Sequence, residues 1–486
     1  MAGLAAAISL AAKGEAVTLV EKQNYPGGKM RVVEVDGAKI DAGPTVFTMK
    51  WVFEKLFAES GSEFENHVKL FKANTLARHA WDGDGHFDLF ADEDASEASI
   101  KEFFGAECAQ GFRKFSKDAR NIFNTLQHTF IAASRPNPVQ LSQRIGLTKI
   151  GTLLALRPFT TLWNALGDYF PDPRLQQLFG RYATYVGSSP YQSPATLMLI
   201  AHVEQAGVWH VEGGMHALAL AMRERAQSLG VIIKSNADVS SIVVESGAAR
   251  GVKLAAGEQI RGKKILFCGD ISRLTPDFFT QEPATSFPVV RPKDRALSAI
   301  TWNVKTKTSG FPLQRHNVFF SDDYSAEFNS IFQKTQVPEN PTVYVCAQNR
   351  DDEANLISGT EDKMLCLINA PAFGDTRRMN QEELHQCQSA TFSLLNRCGL
   401  ILETAKPQMT VTQPADFENL FPGSGGSLYG RASHGWMASF SRPGSKTKLP
   451  GLYLAGGSTH PGAGVPMATL SGMLAAQQIL KDQGLS

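Results

Sequence analysis

The sequence predicts an α/β protein: a discontinuous, Rossmann-like dinucleotide-binding domain assembled from separated stretches of chain, with an inserted α+β substrate domain. Three observations predict it. An α–β unit ending in a carboxylate opens the chain at 1–21, α/β patterning returns at about 206–275, and a strand, glycine-rich loop and helix close it after 445. The boundaries that follow are 1–75, 206–275 and 445–486 for the nucleotide-binding domain, and 76–205 with 276–444 for the substrate domain.

In the opening "MAGLAAAISLAAKGEAVTLVEK", Leu4, Ile8 and Ala11 recur at helical spacing and Gly14 supplies a stop. Ala16 to Val20 then run as a short apolar strand into Glu21. Gly3 reads as the last glycine of a G-x-G-x-x-G turn whose earlier glycines, and the strand before them, would lie ahead of Met1. That absent first strand would be central and buried on both faces. Its loss removes on the order of 10 kcal/mol of apolar burial, and ligand binding at about a thousandfold excess over Kd returns only about 4 kcal/mol. The expectation is either a physiological start upstream or a poorly folded product that holds little cofactor.

Past "YPGGKM", Val33 and Val35 alternate with polar neighbours and Gly37 turns a hairpin back through Ile40 to Asp41. Residues 95–200 are mostly helical in pattern. A helix starts after Gly214 and stops at Gly230, a strand series turns near Gly247, and "KKILFCG" reads as a buried strand. The runs "SAITWNVKT", "HNVFFS", "TVYVCAQ" and "MLCLINAP" predict an antiparallel sheet, with a helix over 381–397. The last block runs from strand through Gly456–Pro466 into a helix at Met467.

Composition narrows the function. A chain of 486 residues with 43% hydrophobic and 20% charged content suits a soluble enzyme of more than one core. Lys+Arg of 48 against Asp+Glu of 47 gives no reason to expect nucleic acid. Six cysteines without a C-x-x-C pair read as reduced thiols. No basic-then-apolar leader and no run of about 18 apolar residues appears. The histidines form no H-x-x-x-H or H-E-x-x-H group and no G-x-S-x-G turn occurs, so neither a metal site nor hydrolase chemistry is expected.

A helix N-terminus behind a glycine-rich turn presents free N–H groups and a positive dipole end to a pyrophosphate. Gly3 and the Gly456–Pro466 loop are two such seats, and Glu21, eighteen residues after Gly3, stands where a carboxylate accepts hydrogen bonds from a ribose. Beyond this, "EKQNYPGGKM", "DAGPTVF", "VEGGMHALA", "NADVSSI" and "GLYLAGGSTHPGAGVP" resemble the bacterial phytoene-desaturase group of FAD enzymes. "RYATYVGSSPYQSPATLMLIAHVEQAGVWHVEGGM" and "LYGRASHGWMASFSRPG" look like its 1-hydroxycarotenoid 3,4-desaturases, also called methoxyneurosporene dehydrogenases.

The resemblance implies FAD as cofactor and desaturation of an acyclic, 1-hydroxylated or methoxylated carotenoid. It implies that Glu21 meets the adenosine ribose, Lys29 the phosphates, the main chain of Val239 the adenine, and Gly43, Pro44 and Thr45 the flavin ring. Gly456, Gly457, Val465, Pro466 and Met467 would hold the ribityl-pyrophosphate end and the ring. Read alone, Lys29 is equally a solvated lysine, Val239 a strand residue and Gly43 a turn. Where many related flavoproteins carry an acidic residue, "AGGSTH" offers Ser458 and Thr459.

For the proton that leaves the substrate, candidates are Arg181 and Tyr185 of "RYATY", His434 of "ASHGW" and His460 of "THPG", each also readable as structural. Quinone or oxygen would accept the electrons. Residues 119–167 carry Arg120, Arg135, Arg144, Lys149 and Arg157 but no Asp or Glu, beside leucines, Phe159 and Trp163. That mixture fits a membrane-surface segment or a core helix with a basic face. A cytoplasmic enzyme lying on the inner membrane is the expectation. Rival readings are a phytoene-type desaturase, a carotenoid isomerase, and a truncated, flavin-free carotenoid-binding remnant.

Overall fold

A computed structural model of the chain describes residues 1–146, 148–403 and 408–485. The opening helix Ala2–Ala11 ends before Gly14, whose φ of 84° suits glycine. Its small residues serve close packing. The helix lies on the closing helix Val465–Asp482 so tightly that a Cβ on Gly472 would stand 2.2 Å from the Ala2 carbonyl oxygen.

Strand Thr18–Val20 pairs in parallel with Ile232–Lys234, and Ile265–Phe267 pairs in parallel with Leu452–Leu454. Start, middle and end of the chain therefore meet. In place of one continuous parallel sheet there are two pairs, and among the described residues no backbone hydrogen bond joins them. Gly3 sits between them: its Cβ would lie 3.5 Å from Cys268 Sγ and 3.9 Å from Leu19 Cδ1. Ile265, Leu266 and Phe267 are only half-buried, where the sequence predicts a buried strand, because they line the cavity and, among the described residues, no strand pairs on this side.

The hairpins follow their turn residues. Val32–Val35 returns as Ala38–Asp41 through Asp36 (φ 47°) and Gly37 (φ 70°), and Val239–Glu245 returns as Ala248–Leu254 through Ser246 (φ 50°) and Gly247 (φ 73°). Helix Met215–Ser228 begins after Gly214 as predicted, and its first N–H groups donate to the Asp41 carboxylate, Met215 at 2.6 Å and His216 at 3.2 Å. This borrowed cap ties the strand end at Asp41, and the loop after it, to the helix.

The substrate-side sheet has seven strands in the order Gln408–Thr412, Ser298–Thr306, Asp362–Ala370, Val343–Ala347, His316–Phe319, Thr75–Ala80, His86–Phe90. The four predicted strands pair antiparallel among themselves, but His316–Phe319 runs parallel to Thr75–Ala80, so the sheet is mixed. Trp302, Val304, Val345 and Ile368 fill its core beneath helix Gln381–Arg397, which starts in a capping box between Asn380 and Glu383. Helices from Glu93 to Gly180 make a second core of Phe112, Phe115, Phe170 and Phe179.

Candidate active site

One cavity of about 1680 Å³ runs through the molecule. Single-ligand pockets usually span ~300–1,000 Å³, so this one has room for a dinucleotide and a second long molecule. Gly3, Glu21, Lys29, Gly43, Pro44, Thr45, Val239, Gly456, Gly457, Val465, Pro466 and Met467 all line it, as do Arg181 and Tyr185.

At one end stand Glu21 and Val239. Glu21 follows its strand directly, accepts the Gln23 N–H at 2.9 Å, and has its pKa raised by burial. Next come two cations, Lys29 half-buried and Arg442 buried. Lys29 donates to the Leu428 carbonyl, and desolvation pulls its pKa down to about 8 against the attraction of Asp270. Arg442 donates to the carbonyls of Gly457 (2.6 Å), Tyr429 (3.1 Å) and Arg431 (2.9 Å), and burial brings its pKa to about 10. Among the described residues neither forms an ion pair. Buried unpaired charge is costly, and a bound anion relieves it.

The glycine-rich loop enters helix Val465–Asp482 at Gly464 (φ 115°), so the first N–H groups of that helix open on the cavity. Ser458 also lines the cavity, and its Oγ accepts the Ile271 N–H at 3.1 Å, while the Gly456 N–H donates to Ser471 Oγ at 3.1 Å. Gly43 passes over Lys29 so closely that a Cβ would stand 1.8 Å from the Lys29 carbonyl oxygen. Thr45 Oγ1 is 2.6 Å from the Tyr344 hydroxyl.

Farther along, Arg181 Nη1 donates to the Tyr185 hydroxyl at 3.2 Å, and its guanidinium lies over the rings of Tyr185 and Tyr344. Glu204 also lines the wall, is buried, accepts from the Tyr182 hydroxyl at 2.7 Å and has its pKa raised by desolvation. An apolar stretch of lining includes Leu126, Phe130, Leu197, Ile200 and Val203. It ends at Leu154, Phe159 and Trp436, which are exposed at 65%, 76% and 46%.

Two proton-acceptor candidates are off this lining. His434 Nε2 accepts the Ser189 N–H at 3.0 Å, and His460 Nε2 is 3.0 and 2.9 Å from the carbonyl oxygens of Phe130 and Ala133. Burial lowers both pKa values to about 4, so both rings are neutral braces between segments. Sequence reading names neither Arg442 nor Tyr344 as a wall group. Arg442 does stand inside the quoted "SFSRPG", where an arginine between a short helix and a proline was the available signal.

A long cavity with two cations free for an anion, a helix start opening onto it and a long apolar stretch suits a dinucleotide-binding protein with room for a second, apolar ligand. A family profile described as flavin containing amine oxidoreductase matches residues 1–480, and the chain belongs to that family. It is 48% identical over 481 residues, 99% of this chain and 91% of the relative, to a hydroxyneurosporene desaturase of Rubrivivax gelatinosus. It is 41% identical over 482 residues (99% and 96%) to one of Cereibacter sphaeroides, and 28% identical over 487 residues (99% and 97%) to a 1-hydroxycarotenoid 3,4-desaturase of Flavobacterium sp.. Among solved structures, a putrescine oxidase bound to putrescine superposes with a TM-score of 0.62 at 13% identity, covering 99% and 96% of the two chains, a likeness of fold alone.

Proposed function

We propose that this protein is an FAD-dependent desaturase of an acyclic, 1-hydroxylated or methoxylated carotenoid in carotenoid biosynthesis. The observation that carries the reading is its full-length likeness to hydroxyneurosporene desaturases. The two-ended cavity fits it.

In this reading Glu21 and the main chain of Val239 hold the adenosine. Lys29, Arg442, Gly3 and the N–H groups at the start of the closing helix hold the pyrophosphate. Gly43, Pro44, Thr45, Gly456, Gly457, Pro466 and Met467 frame the ring. The bound flavin supplies an acceptor for a hydride. The chain's own work is to hold one end of a long apolar molecule against the Thr45–Tyr344 wall and exclude water. Incubating the flavin-loaded protein with a 1-hydroxylated acyclic carotenoid moves the visible bands to the red as conjugation lengthens. Unshifted bands, or a change of isomer without added conjugation, count against desaturation.

The two parallel strand pairs, with Gly3 between Leu19 and Cys268, support a Rossmann-like arrangement.

The membrane reading rests on the cavity mouth. Val139, Ile150, Leu154 and Phe159 are exposed and grouped in residues 138–159, with Phe159 against Trp436 at 5.5 Å between rings. Residue 147 of the 119–167 window lies outside the described residues. Arg135 and Arg144 stand nearby, each donating to backbone carbonyls. Among the described residues no helix is long and apolar enough to cross a membrane, and a rim of apolar side chains with basic neighbours suits docking on the cytoplasmic face of the inner membrane. A carotenoid would enter there, and so would a quinone or oxygen as electron acceptor. The pair Leu154→Asp with Phe159→Asp abolishes cosedimentation with anionic vesicles and leaves flavin content unchanged.

A further inference from the structure

We propose that Thr45, Tyr344, His316, His210 and Asp352 form a proton route from the cavity wall to the protein surface. The route rests on the desaturase reading, because each new double bond takes a hydride and a proton from neighbouring carbons. A bound flavin would supply the acceptor for the hydride, and the proton needs a path through the protein. Arg181 keeps its proton, and His434 and His460 lie off the lining.

Thr45 and Tyr344 do line the cavity. The Tyr344 hydroxyl stands 2.6 Å from Thr45 Oγ1 on one side and 2.7 Å from His316 Nδ1 on the other. A hydroxyl so placed points its hydrogen either way, which is the requirement for passing a proton along. Sheet register fixes the spacing, since His316–Phe319 pairs with Val343–Ala347 and the Tyr344 and His316 rings stack at an interplanar angle of 15°.

Behind Tyr344, His316 Nε2 is buried without a partner. The His210 ring lies 5.9 Å away between centroids, a gap that one bridging water closes. His210 Nε2 is 3.0 Å from Asp352 Oδ1. Donating that hydrogen to the carboxylate leaves Nδ1 of His210 as the acceptor. Asp352 also accepts the Asn74 N–H at 3.0 Å, and its side chain is 22% exposed, so solvent reaches the last station. The charged and titratable groups around His316 are His210, Arg315, Arg181, Tyr344 and, opposite it across the strand pair, Cys346; burial first, then His210 and the two arginines, keeps its ring neutral and ready to accept.

The passage balances. The substrate C–H bond breaks, its electrons become the second bond of the alkene, and the proton goes to Thr45 Oγ1. Thr45 passes its own hydrogen to Tyr344, Tyr344 to His316 Nδ1, His316 from Nε2 by way of the bridging water to His210 Nδ1, and His210 from Nε2 through Asp352 to water. One proton crosses, the relay side chains end neutral, and the negative charge of the hydride stays with its acceptor.

The test uses the flavin-loaded protein with the hydroxylated carotenoid. His316→Gln lowers kcat by about tenfold or more, leaves KM and flavin content unchanged, and enlarges the solvent deuterium effect on kcat. A readout without turnover accompanies it. Ring ¹⁵N shifts of His316 in the carotenoid-free protein report both tautomers, and Tyr344→Phe collapses them to one. A kcat within about twofold of the unmodified protein, a parallel loss of flavin and carotenoid binding, or a single tautomer in both proteins overturns the route. An unmodified protein that holds flavin and carotenoid but forms no product overturns the desaturase reading, and the ring shifts still decide the hydrogen-bond relay.

Discussion

Gly43→Ala yields a protein with little bound flavin and a kcat/KM lowered by about a hundredfold or more, the usual scale when reacting groups are displaced by an ångström. The added Cβ would stand 1.8 Å from the carbonyl oxygen of Lys29 and 3.0 Å from its carbon. Backbone cannot be compressed to that distance, so one of two segments must move. Either choice is harmful: one carries Lys29, the other leads through Pro44 to Thr45. The borrowed cap at Asp41 holds the second segment to helix Met215–Ser228, which limits any relaxation. Gly167→Ala is the control, because nothing lies within 4 Å of a Cβ there. Absorbance of released flavin per chain and steady-state kinetics read both variants. Full occupancy in Gly43→Ala would show that the loop gives way cheaply.

Lys29→Met acts in opposite directions on the two states. Removing a desolvated cation without an ion-pair partner stabilises the cofactor-free protein, whereas the lost charge-assisted contact to a phosphate costs about 1.5–3 kcal/mol of flavin affinity, roughly tenfold to a hundredfold in Kd. The same residue sets a pH dependence. Its ordinary pKa is 10.5 and burial lowers it to about 8 in the folded chain. Between those values the unfolded chain holds a proton that the folded one lacks, so cofactor-free stability rises with pH across that window. Bound phosphate favours the charged form and draws the proton back. Flavin affinity therefore falls above pH 8, by at most about tenfold per pH unit. Titration of flavin fluorescence at pH 7 to 9.5 measures it, and Lys29→Met flattens the profile. A steep profile in that variant would assign the dependence elsewhere.

What the sequence reveals here depends on how local each signal is. Helix Gln381–Arg397, helix Met215–Ser228 and strand Ser298–Thr306 are legible because caps, glycines and periodicity lie within the element itself. The parallel pairing of His316–Phe319 with Thr75–Ala80 has no local signature, since it depends on chain more than 230 residues away. The same limit governs the cavity. Glycine loops and the carboxylate at Glu21 stand out because their chemistry needs fixed spacing. Arg442 gains its meaning only when folding sets it beside Gly457 and near Lys29 and Asp270. Ring direction is equally silent: nothing in "ASHGW" or "THPG" tells that His434 and His460 brace backbone away from the cavity.

The opening helix packs most extensively on the closing one and shares its remaining cover with helix Met215–Ser228. During synthesis, the side of residues 2–11 that meets residues 465–482 stays bare until the ribosome has delivered that last helix. The nascent chain thus carries an adhesive face through most of its translation. Chaperone occupancy of that face, measured on stalled chains of increasing length, should drop once the final helix clears the exit tunnel.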